Sequence, residues 1–191
     1  LSSYAHLHAM GTSLAAELKL VRLDPQFRYA WPDGRVLTMR DDGCDEPGWR
    51  EFVDHGRRIW DVSERTFFAG PMERPSALLR RMRSPLDLVA IDPLRTLHRA
   101  AARRFRDPQL AQWAGRYATY SGSSPFRAPA TLGCIAHVES AFGCWYPVGG
   151  LGALRDAFER VARHVGVDLR CSTEVERITT SGQFVVGRHR Y

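Results

Sequence analysis

The chain has 191 residues, 44% of them hydrophobic, with five Trp, nine Phe and six Tyr, which is enough apolar mass for a core and too much for wholesale disorder. Its formal charge of +6 is almost all arginine, since Lys19 is the only lysine among 27 cationic residues, a skew that points first to a GC-rich genome. Cys44, Cys134, Cys144 and Cys171 show no CxxC pair, so reduced thiols in a cytosolic compartment are expected, and the absence of a charged-then-apolar leader and of any run of about 18 apolar residues argues against a secretion signal or a bilayer span.

Leu7, Met10, Leu14 and Leu18 stand at helical spacing and predict a helix over residues 1–19. The pattern then alternates through Leu20–Leu23, Phe27–Trp31 and Val36–Met39. Pro32-Asp33-Gly34 between the last two is turn chemistry, so a hairpin with a preceding strand is predicted. Asp41, Asp42, Asp45 and Glu46 cluster around Gly43, but their spacing fits no EF-hand, and they read as a solvated turn.

From Gly48 to Gln112 the pattern is helical. Trp49, Phe52, Val53, Ile59, Trp60, Phe67 and Phe68 describe one long amphipathic helix closing at Gly70-Pro71. Ser84-Pro85 opens a second helix, Asp92-Pro93 a third around Leu94, Leu97 and Ala101, and Asp107-Pro108 a fourth through Leu110, Trp113 and Tyr117. Short helices punctuated by X-Pro describe a cap able to cover an apolar cavity. Two arginine clusters, Arg80/Arg81/Arg83 and Arg99/Arg103/Arg104/Arg106, read as a solvated helix face or as attraction to an anionic membrane surface. Without aromatic-basic interleaving or a nucleic-acid module, nucleic acid is not an expected partner.

Residues 117–132 combine small residues, hydroxyls and two prolines into a predicted ordered loop, with Thr131 capping a helix through Ile135, Val138 and Phe142. Cys144–Tyr146 reads as a strand, and Pro147-Val148-Gly149-Gly150 leads into an amphipathic helix over roughly Ala153–Val165, closed by Gly166. Val167–Arg170, a turn and Val175–Ile178 follow. In an α/β protein a glycine turn between strand and helix is where a flat or anionic ligand is held, because no Cβ stands in the way.

Other chemistry is sparse. Gly-x-Ser-x-Gly is absent, and Gly122-Ser123-Ser124 lacks the strand-to-helix setting that exposes a nucleophile. His6 and His8 have no third ligand at useful spacing, so no metal site is expected. His137 and Glu139 stand two apart on a predicted helix and do not share a face, so His137 reads as a core or loop histidine. Gly149-Gly150 is not a Gly-x-Gly-x-x-Gly fingerprint, and alone it indicates only a surface of flavin or lipid size.

Phe105–Leu110, Arg116–Thr131, His137-Val138-Glu139, Trp145–Gly150, Gly166-Val167 and Thr173–Ile178 nonetheless follow an order that resembles the bacterial phytoene desaturases. These are FAD-dependent carotenoid desaturases, and the wording is nearest their hydroxycarotenoid 3,4-desaturase branch. Leu23–Tyr29 with Asp33-Gly34 is similar to the same family, although residues 105–178 carry the specific part. The resemblance implies an α+β fold: a small mixed or antiparallel sheet with a helical cap over residues 1–146, as in the substrate domain of the flavin amine oxidase-like superfamily, then a partial strand-helix-strand piece of the FAD-binding domain over 147–191.

It also implies hydride transfer from a saturated carbon of a polyene to flavin N5, with loss of a neighbouring proton. The Val175 backbone would lie against the FAD adenine, and Gly149 and Gly150 toward the flavin ring. Trp145 and Tyr146 would face ring and substrate tunnel, with Tyr120 and Phe126 as tunnel wall. No catalytic acid or base stands out. The implied partner is a carotenoid or similar apolar polyene entering from a membrane, which places the protein in the cytoplasm at a peripheral membrane surface. Two alternatives remain: a non-catalytic module for apolar ligands or membrane surfaces, and an amine oxidase-like or protoporphyrinogen oxidase-like flavoprotein. The family's opening glycine fingerprint and closing FAD segment are not among the 191 residues. The expectation is therefore a central piece of a longer enzyme that alone neither holds FAD tightly nor turns over, and whose bare surface can pair with a second copy.

Overall fold

The computed structural model describes residues 12–68, 80–178 and 184–186, the backbone alone for 176–178 and 184–186. Leu7 and Met10, the His6/His8 pair and the Gly70-Pro71 stop lie outside these residues. Within them the first helix is α1 (Leu14–Glu17), capped by Ser13, whose Oγ accepts from the Ala16 N–H. β1 (Leu20–Arg22) follows, and then the expected hairpin, β2 (Phe27–Ala30) and β3 (Val36–Met39). These two pair antiparallel, with Phe27 opposite Met39 and Ala30 opposite Val36. Gly34, at φ +87°, turns the chain between them.

α2 (Trp49–Thr66) buries Trp49, Phe52, Ile59, Val62 and Thr66 along one stripe, as the spacing requires. α3 (Leu86–Ala90) follows Ser84-Pro85, with Pro85 at the cap position rather than inside the first turn. The third expected helix starts later than Asp92-Pro93. Asp92 stands at φ +49°, which an α-helix cannot continue, and α4 (Leu97–Ala102) begins only after Thr96, whose Oγ1 accepts from the Arg99 N–H. Leu94 is consequently 97% exposed instead of facing the core.

α5 (Pro108–Ala114) starts as expected, with Asp107 Oδ1 accepting from the Gln109 N–H at 2.8 Å. The chain then tightens into a 3-10 helix, Gly115–Ser121, which holds Tyr117 and Tyr120. A second 3-10 helix, Ala130–Gly133, leads into α6 (Cys134–Phe142). Thr131 is not the cap: its hydroxyl donates to the Ile91 carbonyl at 2.6 Å, and Gly133 takes the cap position. β4 (Trp145–Pro147), α7 (Leu151–His164), β5 (Val175–Ile178) and β6 (Phe184–Val186) complete the order. Val167–Arg170 forms no strand.

The strands make three two-stranded sheets, β1 with β4, β2 with β3 and β5 with β6, so β1 does not extend the hairpin it precedes. The chain divides into two compact units, one of residues 22–144 and one that combines the N-terminal stretch through Val21 with Trp145 onward.

The first unit is filled rather than hollow. Leu37, Met39, Trp49, Phe52, Leu97, Phe105, Leu110, Trp113 and Tyr117 form one buried cluster, with ring centroids 5.4 Å apart for Phe52–Phe105 and for Trp49–Trp113. Among the described residues these aromatic side chains occupy the space between hairpin and helices. Its concavities include a mainly polar groove of ≈770 Å³ along the acidic turn and the start of α2, and one of ≈450 Å³ and mixed lining beside α4. In the second unit, α7 lays Leu154, Ala157 and Val161 near Leu14 and Leu18 of the α1 segment, with only ≈10 Å³ between them. No described helix is long and apolar enough to cross a membrane.

Candidate functional site

Beyond Pro147 the second unit turns tightly. The Gly150 N–H donates to the Pro147 carbonyl at 2.9 Å, and the Val148 N–H to the Lys19 carbonyl at 2.9 Å. Gly149 sits at φ +92° and Gly150 at φ +80° with ψ −175°. A Cβ on Gly150 would meet nothing closer than Tyr146 Oη at 3.5 Å, so backbone conformation rather than lack of space requires glycine. Gly150 caps α7 without a side chain, which leaves this end of the helix open to a ligand.

Trp145 and Tyr146 are 51% and 50% exposed on β4, and Val175, at the head of β5, is also half exposed. These three and the two glycines belong to one unit. Tyr120 and Phe126, 63% and 64% exposed, belong to the other. The Phe126 ring lies 4.4 Å from that of His98, whereas the Tyr120 hydroxyl reaches inward.

What it reaches is a charged cluster the sequence reading did not single out. Glu139, buried on α6, receives Arg116 Nη2 at 2.5 Å and Nη1 at 3.3 Å, the Tyr117 hydroxyl at 3.0 Å and the Tyr120 hydroxyl at 2.9 Å. The Arg116 guanidinium lies 4.3 Å from the Tyr117 ring centre, 4.8 Å from Phe27, 5.3 Å from Tyr29 and 5.5 Å from Trp113. Burial works against its charge, but Tyr117 and Glu139 outweigh burial and hold it above the ordinary arginine value. Burial, reinforced by Glu139, raises both tyrosines, so their phenols stay neutral. A carboxylate taken up by four donors is poorly placed to accept a proton from a substrate. The arrangement fixes Tyr120 and hides a charge; it is not an acid-base pair.

The available signal was Glu139 itself, the one formal charge within Cys134–Phe142. His137 points elsewhere, is partly buried, and is held below its ordinary value by that burial. Among the described residues no group of three or more His, Cys, Asp or Glu could hold a metal ion.

Comparison with known proteins was made on this footing. No protein-family model matches the chain. It is 30% identical over 180 residues to a 4,4'-diaponeurosporene oxygenase of Staphylococcus aureus strain MRSA252, covering 87% of this chain and 36% of that protein. It is 26% identical over 180 residues to a 4,4'-diapolycopene oxygenase of a Methylomonas species, covering 88% and 36%. Over 87% of its length the chain is similar to carotenoid-modifying enzymes of the phytoene desaturase-like family.

Part of that likeness has a physical focus in the Arg116 cluster. Three of the stretches on which the resemblance rests meet there: Leu23–Tyr29, Arg116–Thr131 and His137-Val138-Glu139. They supply, respectively, Phe27 and Tyr29; Arg116, Tyr117 and Tyr120; and Glu139. Gln26 of the first stretch also donates to the Glu139 carbonyl, at 3.5 Å. Part of the wording on which the resemblance rests thus encodes one largely covered ion pair and its aromatic lining. The chain spans about a third of the length of the curated relatives it matches.

Proposed function

We propose that this chain is the substrate-binding region of an FAD-dependent enzyme that oxidises a carotenoid. The observation that carries the reading is the match over 180 residues to two proteins named for their action on carotenoids. The surface chemistry supports it. In one unit Trp145 and Tyr146 present uncharged aromatic faces suited to a rigid polyene, and in the other, taken by itself, so do Tyr120 and Phe126; each large ring contributes by removing apolar area from water. Glu139 keeps the Arg116 charge off that surface and holds Tyr120 by its hydroxyl, so the substrate meets the ring and not a mobile phenol.

The residues present fit one part of an FAD site. The Gly149-Gly150 turn, free of Cβ atoms and next to exposed aromatic rings, suits the edge of a flat ring, and the exposed Val175 strand suits the adenine. When bound, the flavin would supply the acceptor of a hydride. The chain itself would orient the polyene, exclude water from it and present no titrating side chain to it.

A second reading is favoured by the names of both relatives, which are oxygenases. In it the oxidised polyene gains oxygen instead of a new double bond. The test is pigment analysis after the complete reading frame is incubated with FAD and a carotenoid series that includes 4,4'-diaponeurosporene in liposomes. Products short of two hydrogen atoms support desaturation, and products that have gained oxygen support the second reading. With every carotenoid recovered unchanged, both readings fail in favour of a non-catalytic binding module.

A further inference from the structure

We infer that the groove along the acidic turn and the start of α2 is a docking site for a basic, extended segment of a partner polypeptide. The groove measures ≈770 Å³, within the span of about 300–1,000 Å³ usual for ligand pockets. One wall is the turn after β3, in which the Arg40 N–H donates to the Gly43 carbonyl at 2.9 Å and the Gly43 N–H to the Arg40 carbonyl at 3.0 Å. The other wall is the opening of α2, where the Trp49 ring is fixed by that of Trp113, 5.4 Å away. Both walls are set before anything enters, so docking requires little further ordering of the groove.

The charges in its lining are of two kinds. Glu46 is committed to Arg35 at 3.1 Å, and Asp54 to Arg57 at 3.7 Å. Asp42, Asp45 and Glu51 are exposed and make no side-chain ion pair or hydrogen bond among the described residues, and the same holds for Arg40 and Arg50. The unpaired carboxylates outnumber the unpaired guanidinium groups, so the surplus favours a cation. An arginine side chain suits it best, because its planar fork donates to both oxygens of a carboxylate.

Carboxylates alone would gather only diffuse counter-ions, and a second observation makes the groove selective. Trp49 is 6% exposed, yet its indole N–H has no hydrogen-bond partner among the described residues. That edge of the ring lies against Gly43, which shares the lining, and a Cβ there would stand 2.4 Å from Nε1. Gly43, at φ +105°, thus leaves the donor uncovered on the groove side. A nearly buried donor without an acceptor is unfavourable, and a carbonyl that enters the groove relieves it. Inorganic cations and polyamines bring no acceptor. A peptide brings both groups, a backbone carbonyl for Trp49 and a cationic side chain for Asp42, Asp45 and Glu51, while Arg40 and Arg50 are left to take its other carbonyls.

The complete protein is titrated into a fluorescein-labelled peptide, Gly-Arg-Gly-Arg-Gly, and binding is read by anisotropy, with Gly-Glu-Gly-Glu-Gly and spermine as unlabelled competitors. The arginine peptide should bind, and neither competitor should displace it at equal concentration. The variant D42N/D45N/E51Q should weaken binding by about tenfold or more, since each charge-assisted hydrogen bond is strong. The variant D24N/D61N/E64Q, which removes the same charge from other exposed positions, should stay within about twofold of the parent. Trp49→Phe keeps a ring against Trp113 and removes the indole N–H, and should weaken binding about fivefold, the worth of one neutral hydrogen bond. The carboxylate variants change exposed side chains only, so the comparison between them stands even where Trp49→Phe disturbs the core. Equal weakening by the two carboxylate variants, or displacement by spermine at equal concentration, would reduce the groove to diffuse attraction and overturn the proposal. So would self-association of the protein that D42N/D45N/E51Q abolishes, which would make the occupant a second copy. The assay needs neither flavin nor pigment, so the groove and the enzyme reading stand or fall separately.

Discussion

Glu139 carries the largest single consequence at the scale of one residue. In Glu139→Gln the shape and the phenol contacts remain, but a partly buried guanidinium loses its counter-charge, which costs up to about 3–5 kcal/mol where the pair is fully buried and less where water reaches it. Urea titration should show that loss, and an unchanged midpoint would mean that water already solvates Arg116. Replacing both partners, R116M with E139Q, should recover part of it, since an apolar pair leaves no uncompensated charge. His55 sets a different dependence. Burial and then Arg104 lower its imidazole from 6.5 to about 4, against the pull of Asp92. Its Nε2 is within 3.2 Å of Asp92 Oδ2 but lacks hydrogen-bond geometry. The folded state therefore keeps it neutral while the unfolded chain protonates first. That stability is fully present above pH 6.5 and is lost as pH falls toward 4. The carboxylates lowered by hydrogen bonds and arginines, Asp33, Asp87 and Asp107, act only below their ordinary 3.8. Denaturation midpoints followed between pH 7 and 4 should thus decline in the parent and flatten in His55→Gln, with His137 accounting for a residual slope.

Between elements, α2 approaches the start of α6 closely. A Cβ built on Gly56 would stand 2.6 Å from the Gly133 carbonyl oxygen and 3.3 Å from His137 Cβ. Helix propensity alone favours alanine over glycine by about 1 kcal/mol. Here the obstacle is backbone, which cannot rotate away as a side chain can. Gly56→Ala should therefore destabilise by about 1–3 kcal/mol, the usual cost of overpacking, and a stabilised variant would show that α2 and α6 separate easily. Asp107 shows the opposite case, an element boundary written locally. Its side chain caps α5 and also pairs with Arg35 of the hairpin, so helix start and tertiary contact coincide.

Across the whole molecule, the two units differ in how much they bury. α2 places a full apolar stripe in the core, whereas α7 buries only Ala157 and Val161 and leaves Leu151 and Phe158 largely exposed. Hydrogen exchange should reveal α7 amides opening at lower free energy than those of α2, and equal protection would mean that another surface covers α7. The contrast also shows what was legible without coordinates. The hairpin, the α2 stripe, the Asp107-Pro108 start and the glycine turn before α7 depend on neighbours within a few residues, so periodicity and turn chemistry were sufficient. The start of α4, the role of Thr131 and the partner of β1 were not legible, because each depends on a segment distant in sequence. The same division holds for the site. Gly149, Gly150, Trp145 and Tyr146 were named from a contiguous run, and the likeness to carotenoid-modifying enzymes followed from its wording together with that of other stretches. The Arg116–Glu139 pair, its aromatic lining and the filled helical layer were decided only in three dimensions, where charges twenty-three residues apart meet in a space that spacing alone cannot show to be dry.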